Sequence, residues 1–427
     1  SCQPPIVCVA MLRLVFALCA ARALAEYCPP PSAETWMEEM WPWIKDRQIV
    51  GLMLPGSHNS GAVKSMSHRG HCGAIYGKFK SDIKAAVGPF LESLVTDTML
   101  QTYYQPWNVN QHLGIYDQLT KEGVRFFHLK FCNFVNENDK MGPFDLHHLY
   151  HSHGGYTSMS LASIFEDILR FLDEHPLEFV VVGLNNFWEI DNAPELAASV
   201  ARHLNSTNVS LVRTQDWSNS LADLAEENRR LVIFVPESQT EGILPSEQYL
   251  IENWDHDEMG SDDFDRVKRY LIQDAKTHAQ TPRDKFYAFS AHPAKNTDNL
   301  TPDKVFGQSS DPMVDFQLGW FNNSNYFPSF VEEMMENYSS LVLNSISTDF
   351  VGMSGSFELT MRLQSFCNTT TTTQTTSTAT MTTATSTSST FTTSEGLTSG
   401  ANAEMSGCIN IFLPLWSLVA SLGLLSA

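Results

Sequence analysis

The stretch SLASIFEDILRFLDEHPLEFVVVGLNN, Ser160 to Asn186, places a helix and a strand back to back. Leu161, Ile164, Phe165, Ile168, Leu169 and Leu172 recur at steps of three and four, which makes one apolar stripe along an amphipathic helix. Pro176 ends that helix. The run FVVVGL that follows is apolar without alternation, as a strand buried on both faces of a parallel sheet should be. The same rhythm extends in both directions. IVGLML, VRFFHLKF, RLVIFVP, KFYAFSA and LVLNSIS read as further strands, and APELAASVARHL and PSFVEEMMENY as further helices. Strand and helix in alternation, without an internal repeat, predict an α/β fold with a mainly parallel sheet. The length suits a (β/α) barrel, in which the loops after the strands carry the chemistry.

One such place is LMLPGSHNSGAV, Leu52 to Val63. Its first residues read as a strand that Pro55-Gly56 breaks, so His58 falls just past a strand end. Other polar residues sit at corresponding places. His128 and Lys130 lie two apart in GVRFFHLKFC, hence on one face of a strand. His151 and His153 do the same in LHHLYHSHGG, before a Gly-Gly turn. Asn185 and Asn186 close GLNNFWE, and Asp349 follows the apolar run in NSISTDFVG. Two histidines with an orienting carboxylate can perform general acid–base catalysis near neutral pH, and a lysine beside them offsets phosphate charge.

The 427 residues carry a formal net charge of -21, which argues against nucleic acid as a partner and against electrostatic docking on anionic lipid. A phosphate site must then be a local cluster of cations and donors. The ends read as processing signals. Residues 1–25 contain MLRLVFALCAARALA, a leader with a small-residue cleavage site before Glu26. The core spans 26–367. A Ser/Thr-rich stalk occupies 368–402, and 403–427 is a hydrophobic tail preceded by the small residues Ser399 to Asn402, the order of a GPI-attachment signal or else a single membrane helix. The expected location is the secretory pathway and the cell surface, anchored to the membrane by the C-terminal tail. Cys28, Cys72, Cys132 and Cys367 remain in the core, enough for two disulfides with three possible pairings. His147, His148, His151 and His153 cluster, but nothing at a known spacing supplies a convergent fourth zinc ligand, so no metal is expected there. Trp36, Trp41 and Trp43 read either as a membrane-touching patch or as a helix packed on the barrel.

LPGSHNSG, then GVRFFHLKF, then HSHGG with an amphipathic helix and PLEFVVVGLNN, resembles the X domain of phosphatidylinositol-specific phospholipase C, closest to the bacterial enzymes and the eukaryotic X-domain-only proteins. The resemblance implies a distorted TIM-type barrel that cleaves a phosphodiester by attack of the inositol 2-hydroxyl. It implies His58 as general base, His153 as general acid and Asp349 as the carboxylate that fixes the His58 tautomer. Calcium-dependent members place acidic metal ligands where this chain has His128, Lys130 and Asn185, so the resemblance points to a metal-independent site without a cofactor. Lys130 stands where the bacterial enzymes use an arginine against phosphate. Asn59 replaces an Asp paired with that arginine and is carried over as part of the catalytic set. Lys130, His128, Asn185 and Asn186 form the expected headgroup contacts, and the expected partner is a phospholipid headgroup, an inositol phosphodiester first. Two rival readings are a catalytically weak or inactive X domain serving as a surface binding module, and a phosphodiesterase for another lipid headgroup.

Overall fold

The computed structural model describes residues 31–67, 73–89, 92–133, 145–188, 193–205, 207–253, 263–278, 284–293, 312–323, 326–338 and 343–364. All belong to the compact unit Ser1–Thr372. The leader, the stalk, the hydrophobic tail and Cys28, Cys72 and Cys367 lie outside the described residues. Cys132 is disulfide-bonded.

Eleven strands occur among the described residues: β1 Leu54–Ser57, β2 Phe126–Asn133, β3 Leu149–His153, β4 Tyr156–Ser160, β5 Val180–Trp188, β6 Ser210–Leu211, β7 Arg229–Val235, β8 Leu244–Pro245, β9 Leu250–Glu252, β10 Phe286–Ser290 and β11 Ser345–Thr348. The sheet order is β6-β7-β5-β2-β1-β11-β10-β9, with β8 beside β7. Every pairing on that path is parallel. β3 and β4 form an antiparallel hairpin on β2.

The sheet is rolled. Phe234 of β7 and Phe286 of β10 stand five places apart in the order, roughly 24 Å in a flat sheet at the usual strand spacing. Their rings are 5.9 Å apart, and Phe126 of β2 is 5.4 Å from Phe286. These side chains fill the barrel interior with Leu54, Val181, Val232 and Ala288. The ladder does not close between β9 and the β6–β8 edge among the described residues, so the α/β barrel is distorted as expected.

Two local readings change. The segment Ile49–Gly51 is a short 3₁₀ turn, and β1 is LPGS itself, with Pro55 and Gly56 inside it. Leu54 and His58 donate toward β11, to the carbonyls of Asn344 and Thr348. The missing Pro55 N–H therefore faces the β2 side, where pairing starts only at Gly56 and Phe126. Gly56 is required by contact: a Cβ there would lie 2.2 Å from Ser345 Oγ and 2.3 Å from Ser347 Oγ. The second change is in the helix Leu161–Glu174, capped by the Ser160 hydroxyl accepting from Ser163 N–H. Its buried stripe includes Phe171 as well, and Leu169 is only partly buried.

Trp36, Met37, Met40 and Ile44 are buried against the barrel interior. Trp36 Nε1 donates to Gly123 O and Glu38 N–H to Glu178, both just ahead of strands β2 and β5. The tryptophan segment thus closes the end of the barrel opposite His58. Trp43 is 51% exposed on that closed end.

Candidate active site

β1 and β11 run parallel with Ser57 opposite Thr348. The next residue on each is His58 and Asp349, and both are buried. His58 Nδ1 lies 2.8 Å from Asp349 Oδ1. Asp349 Oδ2 accepts from Asn110 Nδ2 and Gln317 Nε2, each at 2.9 Å. Both carboxylate oxygens are therefore engaged, and His58 uses its Nδ1–H on the carboxylate. Its Nε2 keeps a lone pair.

His153 ends β3 and is followed by a two-residue hairpin turn, Gly154 at φ 58° and Gly155 at φ 82°, the type I′ pattern that needs positive φ twice. His153 Nδ1 donates to the Asn108 carbonyl at 2.8 Å. A Cβ on Gly154 would meet Asn108 Oδ1 at 1.8 Å, so the bare glycine lets the Asn108 loop press on the turn. His153 is thus another imidazole with Nδ1 tied down and Nε2 unprotonated when neutral.

One segment serves both rings. In WNVNQ, Trp107 to Gln111, Asn108 holds His153, Asn110 holds Asp349, and Gln111 Nε2 donates to the carbonyls of His58 and Thr348 at 2.9 and 3.1 Å. Sequence reading missed this segment. Its one signal is a run of amides in a short loop, which by composition is an ordinary turn. Asn59 sits in the left-handed region at φ 42°, buried, and donates to Asn110 Oδ1 at 3.3 Å. An asparagine tolerates that backbone better than most residues do.

β2 sends His128 and the half-buried Lys130 toward the same place. The His128 ring lies 5.4 Å from that of His58, nearly parallel at 10°. On the other side of β1 in the sheet, His292 stacks on His58 at 4.0 Å and 23°. His292 and Gln317 were not foreseen from sequence. His151 is buried behind Gly61, where a Cβ would come within 2.6 Å of the His151 ring. Lys130 pairs in register with Asn185 on β5; the side chains of Asn185 and Asn186 lie outside the description.

The electrostatics follow from burial. His58 is held well below its ordinary range by burial first, then by Lys130, His153 and His151. His128 and His151 are lowered for the same leading reason. His153 falls to about 4 through burial and Lys130, with the Asn108 carbonyl opposing. His292 falls to about 3 through burial and then His58. Burial raises the Asp349 carboxyl, against the pull of His292 and the Asn110 hydrogen bond. The imidazoles are therefore held in the neutral form, because burial, Lys130 and the neighbouring rings all oppose protonation of any one of them.

No family model matches the chain. Among curated proteins it is 23% identical to PI-PLC X domain-containing protein 1 of Danio rerio over 154 residues, 36% of this chain and 44% of that protein. It is 24% identical to PI-PLC X domain-containing protein 2 of Homo sapiens over 160 residues, 36% and 44%. Over that stretch the chain is similar to PI-PLC X domain-containing proteins. The match spans under half the length of these relatives. Among solved structures, the phosphatidylinositol-specific phospholipase C from Listeria monocytogenes aligns at TM-score 0.49, with 14% identity over 78% of this chain and 99% of that one. A phosphatidylinositol-specific phospholipase C of S. aureus aligns at 0.48, with 13% identity over 77% and 97%.

The site is a poor cage for a metal ion. The four-histidine zinc cluster does not assemble, because His147 and His148 are exposed while His151 is buried and His153 faces the site. His58, His292 and Asp349 bring donor atoms within 4.8 Å of one another. Stacked rings present their lone pairs side by side, whereas one ion needs both nitrogens about 2.0–2.1 Å away and pointing at it. The Asp349 oxygens, moreover, already accept three hydrogen bonds.

Proposed function

We propose that this X domain is a phosphodiesterase of the phospholipase C type, cleaving an inositol phospholipid or a closely related phosphodiester without a metal. The observation that carries the reading is the matched pair of imidazoles, each pinned at Nδ1, His58 by Asp349 and His153 by Asn108, so that the neutral form of each ring has its basic lone pair at Nε2. His58 Nε2 takes the proton of the headgroup hydroxyl next to the phosphate. That oxygen bonds to phosphorus, and the bond from phosphorus to the glycerol oxygen breaks. His153, protonated in the complex, gives its Nε2 proton to the departing oxygen. Products are diacylglycerol and a cyclic phosphodiester.

His153 at about 4 is a poor acid in the free protein. A bound phosphodiester supplies a negative charge that offsets Lys130, which favours the protonated ring. Lys130 then stabilises the charge that grows on the phosphoryl oxygens. Sequence supports secretion and attachment through the C-terminal tail, as a proposal that rests on residues outside the structural description. Among the described residues no helix is long and apolar enough to cross a membrane.

The test is release of cyclic inositol phosphate from phosphatidylinositol vesicles in EDTA. Turnover that survives chelation and vanishes in His58→Ala and in His153→Ala supports the reading. Turnover abolished by EDTA, or unchanged in either variant, overturns it.

A further inference from the structure

We propose that His292 is the positioning residue of His58: its imidazole, stacked at 4.0 Å, fixes the plane in which His58 presents Nε2. The inference deepens the reading of His58 as the group that accepts the substrate proton. A hydrogen bond at Nδ1 alone leaves an imidazole free to swing about that bond. A second constraint on the ring plane is needed to hold Nε2 within the few tenths of an ångström that proton transfer requires.

His292 supplies it from a rigid place. It lies two residues past β10 and is 2% exposed. Ala291 N–H donates to Ser347 O at 2.8 Å, and His292 Nδ1 approaches the same carbonyl at 3.4 Å. Gln317 joins the far side: its Nε2 lies 2.9 Å from both Pro293 O and Asp349 Oδ2. The contacts form a closed circuit. His58 is bonded to Asp349, Asp349 to Gln317, Gln317 to Pro293, and the adjoining His292 stacks back on His58. A shift of any one member therefore disturbs its contacts with the next. An imidazole is also a flat face that carries no charge here, so it orients a base without adding a cation beside it.

The experiment compares His292→Phe, which keeps a flat face, with His292→Leu, which fills similar volume without one. In the Leu variant kcat falls about tenfold or more with KM within about twofold, and the Phe variant stays within about threefold of the parent. A second arm needs no turnover. Crystal structures of the parent and both variants read the His58 ring plane: one orientation in the parent and the Phe variant, a rotated or split ring in the Leu variant. If the Leu variant retains the parental ring plane and the parental kcat, the proposal is wrong. If the parent has no phosphodiesterase activity but the ring plane changes as stated, the positioning role stands and the catalytic reading falls.

Discussion

His58 and Asp349, 291 positions apart in the chain, share a 2.8 Å hydrogen bond at the ends of neighbouring parallel strands. The bond selects the His58 tautomer, so replacing the acceptor should act on chemistry more than on binding. Asp349→Asn keeps the volume but offers an amide N–H against the donors of Asn110 or Gln317. We expect kcat to fall on the order of 10²–10⁴-fold with KM little changed. Steady-state kinetics on inositol phosphodiesters check it; a loss under threefold removes Asp349 from the mechanism.

Gly154→Ala should damage His153 through its neighbour. The residue is at φ 58°, and a methyl group would overlap the Asn108 side chain. Strain and displacement together should cost about 1–3 kcal/mol of stability. Activity should drop further than stability explains, because the Asn108 carbonyl orients the His153 ring. Thermal unfolding beside turnover measured well below the melting point separates the two effects.

Lys130→Met retains the apolar stem and removes the ammonium. The expected loss is about 10²–10³-fold in kcat. Lys130→Arg should stay active and bind phosphate better, since a guanidinium offers a bidentate fork. Inhibition by inositol phosphate provides the binding readout. Equal activity in the Met variant would leave the site with no cation at the phosphate.

Acid should destabilise the fold. Four buried histidines, His58, His128, His151 and His292, and the half-buried His153 all have depressed values. The unfolded chain takes up protons near pH 6.5 while the folded chain does not. Stability is therefore complete above about pH 6.5 and is lost as the pH falls toward the folded values, about 4 for His153 and about 3 for His292. Each ring contributes up to about 1.4 kcal/mol per pH unit in that window. The raised Asp349 carboxyl works the other way, one group against five. Denaturant midpoints at pH 7, 6 and 5 measure it, and a flat profile contradicts the buried, neutral cluster.

The strands β2, β5, β7 and β10 were legible because residues buried on both faces must be apolar throughout. His58, His153 and Asp349 were legible because each stands beside a turn signal after such a run. β1 was misplaced by one turn's width, since Pro55 and Gly56 normally end strands and here are tolerated by an unpaired flank and a crowded serine pair. The short strands β6, β8 and β9 have too few residues to show a period.

By itself the order of residues determined the alternation of strand and helix, the acidic surface and the residue types available for proton transfer. These are local properties, readable within a window of a dozen residues. Only the rolled sheet decided which of those residues meet. Asn108, Asn110, Gln317 and His292 have no mark of function in their own neighbourhoods, because an amide or an imidazole acquires its role from what lies a hydrogen bond or a ring's thickness away. That neighbour is set by strand register and barrel closure.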